Sequence, residues 1–121
     1  GPRFLTWMRT CFQGSAAGLT AWTDEFSQIG RENQKHFLRY ALHFWREFLL
    51  LSVMDNVDGN VRLPANELES ERKLLPLVDH DQMADITTIL SECTEHIARN
   101  ANHKFLVLDA GIRIHQILRR P

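Results

Sequence analysis

Arg31-Glu-Asn-Gln-Lys-His-Phe-Leu-Arg-Tyr-Ala-Leu-His-Phe-Trp-Arg-Glu-Phe-Leu-Leu-Leu-Ser-Val-Met54 is the stretch that decides the fold. Its apolar residues recur every three and four positions, the period of a helix. At about 100° per residue, Phe37, Tyr40, Ala41, Phe44, Trp45, Phe48, Leu49, Leu51 and Ser52 cover well over half the circumference. The polar remainder is a narrow strip of Arg39, His43, Arg46 and Glu47. An ordinary surface helix has an apolar arc of a little over ~100°. This helix is therefore expected at the centre of its domain, or under partners as well as its own chain.

The same period extends on both sides. Phe4, Leu5, Met8, Cys11 and Phe12 predict a first helix ending near Gln13. Gly14 and Ser15 form a joint, with Ser15 suited to cap the next helix. Leu19, Trp22, Phe26 and Ile29 mark that second helix, and Gly30 sits where a stop needs the left-handed conformation. After the central helix, Asp55-Asn-Val-Asp-Gly-Asn60 is a turn-rich break closed by Pro64. A short acidic helix is expected from about Ala65 to Leu75, interrupted by Pro76. Asp79-His-Asp-Gln82 has the form of a capping box. Met83, Ile86, Leu90, Cys93 and Ile97 then give an amphipathic helix ending near Asn100. The last helix runs from about His103 to Leu118, with Leu106, Val107, Leu108, Ala110, Ile114, Ile117 and Leu118 on its apolar side. Its polar strip is Asp109, Arg113 and Gln116. No segment alternates with period two, so no sheet is expected. The expectation is an all-α, compact bundle of five or six helices in a single domain spanning residues 1–121.

Composition narrows the function. With 44% hydrophobic and 24% charged residues the chain can build a core and a soluble surface. The longest apolar runs, such as Phe48-Leu-Leu-Leu51, fall far short of the ~20 residues that span a bilayer. The start at Gly1-Pro2, without Met, suggests a segment of a longer protein. Cys11 and Cys93 both fall in apolar stripes and read as buried free thiols of a reducing, cytoplasmic setting. Residues 1–54 carry six Lys/Arg against four Asp/Glu, residues 55–95 three against ten, and residues 96–121 five against one. An acidic middle and a basic end suit a subunit that meets differently charged neighbours on two sides.

Candidates for chemistry are sparse. Cys93 and His96 are three apart on one helix, a spacing two metal ligands can use, yet Cys93 belongs to the core stripe and no second ligand pair follows. His43 falls on a polar strip, and His115, beside Ile114 and Ile117, reads as a partly buried hydrogen-bonding residue. No Ser or Cys sits in a Gly-rich elbow, and no phosphate-binding Gly loop occurs. Lys104, Arg113, Arg119 and Arg120 lack the interleaved aromatics of a single-strand platform. Neither a catalytic residue, a cofactor, a metal nor a small-molecule ligand is expected in this segment. The wide apolar arcs leave a ligand-binding helical bundle as the alternative to an assembly domain.

Two segments carry a resemblance. Gln34-Lys-His-Phe-Leu-Arg-Tyr-Ala-Leu-His-Phe-Trp-Arg-Glu-Phe-Leu-Leu50 and Ile97-Ala-Arg-Asn-Ala-Asn-His-Lys-Phe-Leu-Val-Leu-Asp109, together with Trp22-Thr-Asp-Glu-Phe26 and Gly30-Arg-Glu32, resemble the C-terminal region of the delta prime subunits of bacterial DNA polymerase III, in their Bacteroides-type form. The resemblance rests on the order and spacing of helical segments over most of the chain. It implies an AAA+ clamp-loader subunit whose helical C-terminal domain joins a five-membered collar. In that machine ATP drives the loading of a sliding clamp on primed DNA during replication. The nucleotide-binding region of such subunits lies N-terminal to this part, so no ATP chemistry falls on these residues. The implied partners are the other loader subunits, of gamma/tau and delta type, with DNA and clamp reached only through the complex. The expected interface residues are Asn100, Asn102, Lys104, Asp109, Arg113 and Gln116 near the C-terminus, with Arg39 and Arg46 on the central helix.

Overall fold

A computed structural model describes residues 2–54, 78–99 and 102–120 of the chain. Among these residues the fold is all-α, with five helices: α1 Pro2–Gln13, α2 Ala16–Phe26, α3 Arg31–Met54, α4 His80–Ala98 and α5 His103–Leu118. The expected break at 55–60, the acidic helix at 65–75 and Asn100 lie outside the described residues.

The helix ends follow local chemistry. Ser15 caps α2, its hydroxyl oxygen accepting the N–H of Gly18 at 3.2 Å. Asp79 and Gln82 form the expected reciprocal box at the start of α4, each side chain accepting the other residue's N–H at 2.8 Å. Asn102 caps α5 by accepting the N–H of Phe105 at 3.2 Å. α2 stops at Phe26, earlier than its apolar stripe suggests. There the chain tightens into i→i+3 bonds, Gln28 N–H to Glu25 O and Ile29 N–H to Phe26 O, while the Ser27 hydroxyl takes the Asp24 carbonyl. Gly30 then turns the chain into α3 with φ of 87°.

Nine of the eleven aromatic side chains form one connected cluster. Phe37 of α3 is its node. Its ring centroid lies 5.6 Å from Trp7 on α1, and 5.4 and 5.2 Å from Trp22 and Phe26 on α2. Phe4 continues the cluster to Phe44 at 4.6 Å, and Phe44 leads on to Trp45 and Phe48. The other flank of α3 runs against α4, the most extensive helix pairing among the described residues. Phe37, Leu38, Ala41, Leu42, Phe44, Trp45 and Phe48 are all buried in this way. The wide arc of α3 is thus covered by its own chain. Of the two explanations its width allows, a central position accounts for it, because α1 and α2 cover one side and α4 the other.

α5 closes the bundle against α4, α2 and α1. Two histidines fasten it to the two N-terminal joints. His115 donates from Nδ1 to the Cys11 carbonyl at 2.8 Å, at the end of α1. Its ring lies directly over Gly14, where a Cβ would stand 2.0–2.4 Å from the imidazole atoms. Gly14 also has φ of 70°, so both backbone conformation and space demand glycine. At the other joint, buried Gln34 donates from Nε2 to the Phe26 carbonyl at 3.1 Å. Its Oε1 therefore faces His103, which must carry the proton on Nδ1 to donate to it. Gln82 adds a third fastening, from α4 to the Ile117 carbonyl near the end of α5, at 2.9 Å.

Three stability predictions follow from this packing. Phe37→Ala is expected to cost about 3–5 kcal/mol in urea unfolding, since it empties the node of the cluster. Gly14→Ala is expected to cost about 2–4 kcal/mol, adding displacement of His115 to left-handed strain, whereas Gly30→Ala, with open space around it, costs only about 1–2 kcal/mol. The third concerns acid. Burial holds the His103 imidazole below its ordinary pKa, with the positive charge of Arg31, then that of Lys35, acting the same way against the Ile97 carbonyl. Between that lowered value and the unfolded value of about 6.5 the folded chain binds fewer protons than the unfolded one. Stability is therefore full above the unfolded value and is lost as the pH falls from there through the lowered folded value. The thermal midpoint should drop on acidification, and His103→Gln should remove part of that slope.

Candidate functional site

The outer face of α5 carries what the core leaves over. Val107, Ala110, Gly111, Ile114 and Ile117 point inward and are buried. Phe105 and Ile112 lie on the opposite side of the helix, 71% and 40% exposed. They stand seven residues apart, about 10 Å along the axis. Leu108, between them, is half-buried and packed on the edge of the core. Phe105 and Ile112 were not singled out by the sequence reading, which took this side of the helix as a polar strip. Their position about 180° from Val107 and Ile114 was the available signal.

Asp109, Arg113 and Gln116 are exposed on the same outer face. Lys104 flanks the helix start and pairs with Asp24 of α2 at 2.6 Å. Asn102 is spent on its cap. Arg39 and Arg46 are exposed on α3, away from α5, and share a strip with exposed His43 and with Leu50, which is 47% exposed. Eight interface positions expected from sequence therefore divide. Asp109, Arg113 and Gln116 come together, Lys104 lies at their edge, Asn102 is a capping residue, Arg39 and Arg46 form a separate strip, and Asn100 is outside the described residues.

Some of the charge contrast is taken up inside the chain. Asp85 and Glu92 of α4 face Arg120, just past α5, and Arg113 of α5. Arg120 meets Asp85 at 2.7 Å, and Arg113 stands 3.9 Å from both Glu92 and Asp109. Among the described residues, two acidic side chains of α4 thus help to join it to the C-terminal helix and its end. Exposed pairs of this kind contribute ~0–1 kcal/mol each, so they set register more than stability.

Between α4 and α5 lies an open groove of about 290 Å³. Ile89 and Ile117 form its floor, and Thr88, Arg113, Gln116 and Arg120 stand around it with Asp85. Neither thiol lies in it. Cys11 and Cys93 are buried and free, each pushed up to about 12 by burial, with the Asp109 charge adding to the effect at Cys93. Both stay protonated and unreactive at neutral pH. The Cys93 thiol contacts the Leu106 carbonyl at 3.8 Å while His96 is exposed. Among the described residues no group of three or more His, Cys, Asp or Glu could hold a metal ion. Nor is any helix there long and apolar enough to cross a membrane.

No family model, no curated protein and no solved structure matches this chain.

Proposed function

We propose that this chain is an assembly module, the C-terminal collar domain of a clamp-loader subunit of the delta prime type. The observation that carries the assembly reading is the exposed pair Phe105 and Ile112 on the outer face of α5. A phenylalanine left mostly in water, on a helix whose opposite side is fully packed, is an anchor of the kind that dominates protein interfaces. Arg113 and Gln116, exposed near Ile112, supply polar groups on the same face. The specific identification rests on the resemblance carried by Gln34–Leu50 and Ile97–Asp109. A ring requires two different faces on each subunit. The second face in this reading is the α3 strip of Arg39, His43, Arg46 and Leu50. DNA, the clamp and ATP are reached only through the complete loader, in the cytoplasm, and this segment performs no chemistry of its own.

A small-molecule binding bundle draws less support. The wide arc of α3 is filled with its own aromatic side chains, and the α4–α5 groove is open and walled by charged groups.

Co-purification of this chain with the C-terminal domains of gamma/tau and delta type subunits tests the reading. Binding in the micromolar range or tighter is expected, and failure to bind any of them refutes the collar assignment. Phe105→Ser should keep the thermal midpoint of the parent and weaken that binding at least about tenfold, the loss of one aromatic anchor. Unchanged binding by this variant would place the interface elsewhere.

A further inference from the structure

We draw no further inference here: the strongest candidate, the outer face of α5 with the exposed Phe105 and Ile112, carries nothing, because nothing in the structure shows what covers it.

Discussion

The aromatic node at Phe37 is the constraint from which the rest of the bundle follows. One ring on α3 meets Trp7 of α1 and both Trp22 and Phe26 of α2, so three helices must converge at that point. Aromatic pairs add ~0.5–1.5 kcal/mol beyond their buried area, and they do so only in tilted, edge-on or offset geometries. The cluster therefore orients the helices as well as holding them. Once α1 and α2 are pinned to one flank of α3, α4 takes the other. α5 is left to close the bundle across α1, α2 and α4, with one side buried and one side free.

Closure by α5 combines buried apolar residues, Val107, Ile114 and Ile117 among them, with three polar fastenings. His115 reaches the end of α1, His103 reaches Gln34 at the junction of α2 and α3, and Gln82 ties the start of α4 to the end of α5. Each of these side chains satisfies a group at a helix end or joint that would otherwise be stranded. They give α5 a definite register, and register decides which residues it shows to solvent. A helix rotated by a third of a turn would bury Phe105 or expose Ile114. The candidate interface is thus a consequence of how the C-terminal helix is locked, and the arginines along it gain their geometry from the same source.

The charge pattern illustrates how local and global explanations can compete. An acidic stretch followed by a basic one invites the idea of two differently charged neighbours. In the folded chain Asp85 and Glu92 of α4 lie across from Arg120, just past α5, and Arg113 of α5, so part of that contrast is used internally. The apolar arc of α3 has the same lesson. Its width reported a central position, because a helix flanked on both sides by its own chain needs no partner to cover it.

Helix positions, the capping residues Ser15 and Asp79, and the left-handed Gly30 were legible in the sequence because each depends on residues within a turn or two of one another, whereas Asn102, read as an interface residue, is a cap, and α2 ends at Phe26, short of Gly30. The apolar periods fixed which side of each helix is buried for the same reason. Tertiary structure alone decided that Gly14 must make room for the His115 ring, that His103 and Gln34 meet across 69 residues, and that Asp85 and Glu92 lie across from Arg120 and Arg113. Those facts join side chains distant in sequence, and no local pattern encodes a meeting of that kind. The exposure of Phe105 and Ile112 lies between the two. Their place on the helix circumference could be computed from the sequence, but whether another helix covered that side was settled only when α1, α2 and α4 had taken the rest of the surface of α5.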